Sequence, residues 1–215
     1  MARQKNQAAR RAELLAAAAK AISEHGPGKV RVADIAEAAG VAKGSVHYYF
    51  KDLDDLLEQV YREAGERYFT QRLDEVTRHA DARDKLIACI RMGLPDGPED
   101  QLTGLLYRTG VELPYNPLRA ALAEGLTDRQ VGVYVGVLEV GRAQGHFRIA
   151  EPVQDVAANL VALEDTYASR IIYRRAPGML DRAMALILGY ARAVTGCPGL
   201  TPDRIPDPTE EDPAP

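Results

Sequence analysis

The stretch that decides the predicted fold is residues 31–51, RVADIAEAAGVAKGSVHYYFK. Its first half has the i, i+3, i+4, i+7 apolar spacing of one helix face, with Val32, Ile35, Ala36 and Ala39. Gly40 is expected to end this helix, because glycine adopts left-handed backbone angles without a Cβ penalty. A second short helix is predicted from about Ala42 to Tyr49, with its apolar residues inward. The two together predict a helix-turn-helix.

The outward face of the second helix carries hydrogen-bonding side chains and no acidic ones. Its residues are Lys43, Gly44, Ser45, His47 and Tyr48. Such a face suits the major groove of DNA. The pattern by itself equally allows a structural helical hairpin with a hydrated polar face, so at this point both interpretations stay open.

A longer run resembles the DNA-binding signature of the TetR family of bacterial regulators. The run is Asp34-Ile35-Ala36-x-x-Ala39-Gly40-Val41-x-x-Gly44-Ser45-Val46-x-x-Tyr49-Phe50, with Leu56 after it. The resemblance covers about residues 8–60. It implies an all-α homodimer, most often a repressor, with an N-terminal DNA-binding domain and a C-terminal ligand-binding and dimerisation domain. It also implies a palindromic operator that is released when a small-molecule effector binds.

The resemblance further implies which residues meet DNA. They are Arg31, Ala42, Lys43, Gly44, Ser45, His47, Tyr48 and Lys51. Three positions depart from the family, which commonly has Ser or Thr at 31, Tyr at 47 and Lys at 53. We expect Arg31, Lys51 and the amide at the start of the first short helix to hold phosphates instead.

Charge is divided unevenly along the 215 residues, whose net charge is -4. Residues 1–51 contain nine Lys or Arg and four Asp or Glu, a net of +5, which leaves -9 for the remainder. A basic end that meets phosphate and an acidic body that does not is consistent with DNA binding. The two cysteines are too few for a disulfide scaffold, and no apolar run approaches the roughly 20 residues that span a bilayer. These features predict a cytoplasmic protein.

Three regions are predicted. Residues 1–52 form the helix-turn-helix domain with a disordered basic arm (1–6), residues 53–196 a helical ligand-binding and dimerisation domain, and residues 197–215 a disordered acidic, Pro-rich tail. Outside the helix-turn-helix, helices are predicted at about 7–25, 53–80, 81–93, 99–112, 118–144, 152–174 and 178–195. Residues 118–144 fit one helix or a pair broken near Gly125 equally well.

The last two helices, 152–174 and 178–195, offer more apolar surface than one packed side consumes. We therefore expect the homodimer to form through them, as a four-helix bundle across a twofold axis. In the alternative interpretation both apolar stripes are simply core.

An effector pocket is predicted where apolar helix faces carry polar or aromatic interruptions. The candidates are Phe69, Met92, Tyr107, Glu112, Tyr115, Tyr134, Glu139, Asp165 and Tyr167. If Glu112, Glu139 or Asp165 faces a cavity, the effector should carry a cation or hydrogen-bond donors. The sequence has no recognisable metal-ligand spacing, P-loop, Rossmann glycine pattern or nucleophile elbow, so no cofactor, metal or enzyme activity is expected. A rival hypothesis is a helical binding or sequestering protein without a DNA target.

Overall fold

In the computed structural model, the backbone is described for residues 2–112, 116–175 and 177–204, and side chains for 7–109, 116–175 and 177–203. Over these residues the secondary structure is entirely helical, which confirms the all-α prediction. The helices are α1 Ala2–His25, α2 Val32–Ala38, α3 Lys43–Tyr49, α4 Leu53–Arg78, α5 Ala82–Met92, α6 Gln101–Glu112, α7 Pro117–Ala143, α8 Val153–Arg174, α9 Met179–Thr195 and a 3-10 turn at Pro202–Arg204. None of the described helices is long and apolar enough to cross a membrane.

The structure corrects the predicted start of α1 and decides between the two alternatives left open for α7. Helix α1 begins at Ala2 rather than near residue 7, so the predicted disordered arm is helical from that residue. The segment contains Ala, Arg, Gln and Lys, which favour helix, and neither Gly nor Pro. Helix α7 is one continuous helix through Gly125. Its start is capped by the Asn116 carboxamide, whose Oδ1 accepts the N–H of Leu118 at 2.9 Å.

The first of two compact units contains residues 1–68 and 100–126. Its core joins Leu14 of α1 to Ile35 of α2 and Val46 of α3. Leu56 of α4 and Leu105 of α6 are buried in the same cluster. The predicted boundary after residue 52 therefore does not coincide with the compact unit, because the apolar faces of α4 and α6 complete the core of the N-terminal helices.

The second unit contains residues 69–99 and 127–215, of which the part to residue 204 is described. Helices α5, α7, α8 and α9 supply its core, with Ile90, Leu138, Leu160 and Ile187 each at 0% exposure. Fully buried aliphatic side chains from four helices give this unit a well-packed interior. Polar side chains buried in this unit are therefore exceptions to its apolar interior.

The predicted dimerisation helices divide their apolar residues between the core and the surface. Helices α8 and α9 pack against each other, and Val161 and Ile187 are buried within the unit. Ala158, Leu186 and Ala193 are exposed instead. The apolar stripes predicted for these two helices thus contain residues of both kinds. Some belong to the core, as in the alternative interpretation, and others form an apolar outer face, as a dimer through these helices would require.

The C-terminal tail does not begin where the sequence predicted. Cys197 and Leu200 are buried in the core of the second unit, at 7% and 0% exposure. The Leu200 carbonyl accepts a hydrogen bond from Arg192 at 2.8 Å. These two apolar residues and that bond anchor a segment that composition alone assigned to disorder. The rest of the predicted tail, residues 205–215, lies outside the described residues.

Candidate functional site

The turn between α2 and α3 is fixed by a glycine-dependent helix ending. Gly40 has a φ of +64°, and its N–H donates to the Glu37 carbonyl at 3.0 Å. The N–H of Val41 donates to the Ala36 carbonyl at 2.9 Å. These two bonds form a Schellman motif, which a residue with a Cβ at position 40 would strain. The motif confirms the predicted stop and turns the chain directly into α3.

Helix α2 begins with one half of a capping box. The Asp34 carboxylate accepts the backbone N–H of Arg31 at 2.8 Å. Arginine has no acceptor, so the reciprocal bond that Ser or Thr would make to the helix is missing. The Arg31 amide is consequently engaged within the protein, while its exposed guanidinium remains a candidate for phosphate contact.

Helix α3 separates an inner face from an outer face as predicted. Val46 and Phe50 are each 2% exposed and pack in the core of the first unit. The predicted DNA-contact residues lie on the other side: Ala42, Lys43, Gly44, His47 and Tyr48 are exposed, and Ser45 is half-buried. A seven-residue helix with one buried stripe and a polar, acid-free outer face has the shape of a recognition helix.

Tyr48 is the most prominent side chain of that face, at 68% exposure. Its hydroxyl oxygen accepts a hydrogen bond from the side-chain amide of Gln7 in α1, at 3.0 Å. Its ring meets the Tyr49 ring edge-on, with centroids 5.0 Å apart. The phenol is therefore held in one position although solvent surrounds it.

One exposed lysine, Lys43, is the first residue of α3, and another lies just after the helix. Lys51 follows it, and the Lys51 backbone N–H donates to the Asp55 carboxylate at 2.9 Å. Asp52 caps α4 by accepting the N–H of Asp55 at 2.8 Å. Neither Lys43 nor Lys51 makes an ion pair with a described residue, so both can meet phosphate without first losing a partner.

An apolar groove of about 450 Å³ lies in the second unit. Its lining residues are Phe69, Leu73 and Val76 of α4, Lys85 of α5, and Arg129, Gly132, Val133, Gly136, Val137 and Val140 of α7. The Arg129 guanidinium carbon lies 3.9 Å from the centre of the Phe69 ring. The Lys85 ammonium donates to the Val76 carbonyl at 3.1 Å, in the last turn of α4. The groove thus combines an aliphatic surface with two cations.

A fully buried polar network lies in the same unit. One Arg72 nitrogen donates to both Glu164 oxygens, at 2.8 and 2.9 Å, and another donates to the Gln130 carbonyl at 2.7 Å. The Tyr134 hydroxyl donates to Glu164, and the Cys89 sulfur lies 3.4 Å from Arg72. These groups connect α4, α5, α7 and α8 through a single ion pair whose members are 0% and 1% exposed.

Burial shifts the ionisation of this network. It raises the pKa of the Glu164 carboxyl from 4.5 to about 7, although Arg72 and the Tyr134 hydroxyl act in the opposite direction. Burial also raises the pKa of the Cys89 thiol from 9.0 to about 11, and that of Tyr134 well above 10. The Cys89 thiol is therefore protonated at neutral pH and has little nucleophilic character.

The structure disperses the predicted ligand-binding residues. Phe69 lines the groove, and Tyr134 belongs to the buried network. Met92, Tyr107 and Tyr167 are half-buried elsewhere, and Tyr107 belongs to the first unit. Glu139 and Asp165 are exposed, and Glu139 pairs with Arg142 at 3.1 Å. The Glu112 side chain and Tyr115 lie outside the described residues.

The sequence interpretation missed the groove cations and the ion pair. Gly132 and Gly136 lie one helical turn apart, a spacing that marks a bare strip on α7 and was the available signal for the groove. No local pattern connects Arg72 with Glu164, which are 92 residues apart.

Comparisons with known proteins agree with this geometry. Residues 14–60 match the family model described as bacterial regulatory proteins, tetR family. Over 186 residues the chain is 25% identical to the HTH-type transcriptional repressor KstR2 of Mycobacterium tuberculosis, covering 84% of this chain and 92% of that protein.

Solved structures show the same fold. A TetR transcription regulator from Haloarcula marismortui superposes with a TM-score of 0.79 at 22% identity, covering 87% of this chain and 98% of that one. The regulator FadR from Bacillus subtilis, solved in complex with stearoyl-CoA, has a TM-score of 0.69 at 19% identity, covering 86% and 97% of the two chains.

Proposed function

The chain belongs to the TetR family of bacterial regulatory proteins, and from this premise we propose that it is a cytoplasmic, homodimeric repressor released from DNA by a small molecule. The observation that carries the proposal is the acid-free outer face of α3, held on a buried Val46–Phe50 stripe. The relatives named above are transcriptional regulators, and the proposed activity is binding rather than catalysis.

The recognition helix makes the sequence-specific contacts in this proposal. Ser45, His47 and Tyr48 meet base edges in the major groove, since their side chains can donate or accept hydrogen bonds. Arg31, Lys43 and Lys51 meet phosphates, which fixes the position of the helix without reading sequence. Ala42 and Gly44 contribute a smooth surface that lets the helix approach the duplex closely.

Two recognition helices are required for an operator of useful length. The exposed residues Ala158, Leu186 and Ala193 of α8 and α9 support a dimer through these helices, because Leu186 offers apolar surface to bury and the two alanines let a symmetry mate approach closely. A twofold dimer implies a palindromic site with half-sites roughly 34–36 Å apart.

Release by an effector would act through α4. This helix belongs to the first unit up to Tyr68 and to the second from Phe69, so a ligand bound against Phe69 acts on the helix whose other end supports the recognition helix. A change from 1:99 to 99:1 between the two states requires the effector to prefer the released state by about 10⁴-fold, roughly 5.5 kcal/mol.

Fluorescence anisotropy with duplexes that tile the DNA flanking its own coding region tests the proposal. We expect one duplex to bind a dimer with an affinity that falls steeply with salt. Tyr48→Ala should weaken binding to that duplex, whereas Arg142→Ala, which removes an exposed cation from the second unit, should not. A chain that stays monomeric in sedimentation and ignores every duplex at low salt would instead favour the sequestering protein.

A further inference from the structure

We propose that α1, a helix outside the helix-turn-helix, adds a phosphate contact to the DNA interface through Arg11. The inference rests on the proposed function, because it extends the same interface by one residue. The observation that carries it is the position of the Arg11 guanidinium, whose carbon lies 5.4 Å from the centre of the Phe50 ring at the end of the recognition helix. The ligand is the sugar–phosphate backbone of a duplex, which such a contact binds without reading base sequence.

Two contacts show which face of α1 lies along α3. The Gln7 amide reaches the Tyr48 hydroxyl at 3.0 Å, and one helical turn later Arg11 covers the Phe50 ring. Tyr48 is 68% exposed on the proposed DNA-binding face, whereas Phe50 is buried in the core of the first unit. This face of α1 therefore runs along the edge of the DNA-binding face, and Arg11 lies at that edge.

The Arg11 side chain is ready to bind an anion. Stacking on the ring uses the flat face of the guanidinium and leaves its five N–H donors in the plane free to meet a phosphate. Arg11 is exposed and makes no hydrogen bond or ion pair with a described residue. Its neighbour Arg10 differs, because Glu13 pairs with it at 2.6 Å. A phosphate can therefore bind Arg11 without displacing a partner and with little loss of side-chain freedom.

With Arg11 included, cations stand at both ends of α3. Lys43 begins the helix, and Lys51 follows the Phe50 cap. Seven residues of helix span about 10 Å, and the major groove is about 12 Å wide. Lys43 at one end and the pair Arg11 and Lys51 at the other are therefore spaced to meet the two backbones that border the groove.

The carboxylates that follow Lys51 are already matched within the protein. Asp52 and Asp55 accept backbone N–H groups at 2.8 and 2.9 Å, at the start of α4. Asp54 pairs with Arg119 at 3.6 Å. Because each carboxylate has its own donor or cation, the exposed cations at this end of α3 stay available to DNA.

The salt dependence of DNA binding tests the assignment, since shielding of the Phe50 ring alone would change stability but not this dependence. The probe is a labelled mixed-sequence duplex of about three helical turns, followed by fluorescence anisotropy. Each phosphate contact contributes about 0.9 to the slope of log K against log salt. We expect Arg11→Gln to lower the slope by about 0.9 and to weaken binding by up to about eightfold at about 0.1 M salt. Arg11→Lys should restore most of the slope.

Lys20→Gln is the matched control. Lys20 is an exposed residue of the same helix that pairs with Glu24 at 3.9 Å, and it lies nine residues beyond Arg11, on the opposite side of α1. This variant should leave the slope unchanged. Circular dichroism verifies that each variant is folded, and Arg11→Met, whose unbranched side chain can still cover the ring, provides the same test if the glutamine variant unfolds.

The outcomes separate failure of the inference from failure of the proposed function. A folded Arg11→Gln or Arg11→Met variant with the wild-type slope would overturn the inference, and so would an equal loss of slope in Lys20→Gln. If Lys43→Gln lowers the slope while the Arg11 variants do not, the proposed function stands without the α1 contact. A wild-type protein that ignores every duplex at low salt would overturn both.

Discussion

Replacing Arg72 by Met tests the buried network and has a cost that depends on pH. Methionine replaces the aliphatic part of the arginine side chain, but it leaves the Glu164 carboxyl, at 1% exposure, without its cation. Removing one partner of a buried ion pair typically costs about 3–5 kcal/mol. The carboxyl can reduce this cost by taking up a proton, which the guanidinium cannot do by losing one. Arg72→Met should therefore be less harmful than Glu164→Gln.

The sign of the pH effect follows from the direction of the shift. The native pKa of Glu164 is about 7, above its ordinary value of 4.5, so between these values the native state binds more protons than the unfolded state. The ionisation of Glu164 therefore lowers the free energy of unfolding of the wild-type protein by about 3 kcal/mol as pH rises from 4.5 to 7. Arg72 lowers that pKa, so its removal raises it further. Between pH 7 and 8 the free energy of unfolding of the variant should fall by up to about 1.4 kcal/mol, whereas that of the wild type should change little.

Urea unfolding followed by circular dichroism at pH 6, 7 and 8 measures these differences. The double variant Arg72→Met/Glu164→Leu should recover most of the loss, because an apolar pair of similar volume is often as stable as a buried ion pair. Arg142→Met, which breaks an exposed pair, should cost less than about 1 kcal/mol. A loss below about 1 kcal/mol for Arg72→Met at pH 8, or additive single and double variants, would refute the reasoning.

Three other outcomes are expected. Lys43→Ala should weaken binding to all duplexes and reduce the slope of log K against log salt by about 1, measured by anisotropy, whereas an effect confined to one base position would show a base contact instead. Gly93→Ala should lower the urea midpoint strongly because a Cβ there overlaps the Glu164 carboxyl, and Gly97→Ala, where a Cβ meets nothing, should not. The Cys89 thiol should resist iodoacetamide at pH 8 until the protein unfolds, as peptide mapping can show, and rapid native labelling would contradict its raised pKa.

Sequence patterns were sufficient wherever structure depends on neighbours along the chain. The spacing of Ile35 and Ala36 predicted the buried face of α2, and Gly40 predicted the end of that helix. Continuity of α7 at Gly125 was ambiguous, because an internal glycine costs only about 1 kcal/mol, a small part of the energetics of a 27-residue helix.

Features that depend on which helices pack together were not predictable. The sequence around Leu105 does not indicate whether α6 packs on the N-terminal helices or on the remainder, so its place in the core of the first unit was not predictable. The expected effector chemistry was conditional on Glu112, Glu139 or Asp165 facing a cavity, because helical periodicity does not say which polar residue turns inward; Glu139 and Asp165 are exposed. Lys85 and Arg129 come together only when α5 and α7 are arranged around α4.

The hydrogen bond from Gln7 to Tyr48 makes the position of one side chain of the proposed recognition surface depend on α1, a helix to which neither proposal assigns a base contact. Shortening or removing the amide at position 7 would release the phenol to sample other rotamers and other base neighbours. Operator preference could then be retuned by substitutions outside the contact surface, so paralogues with identical α3 sequences need not share a target.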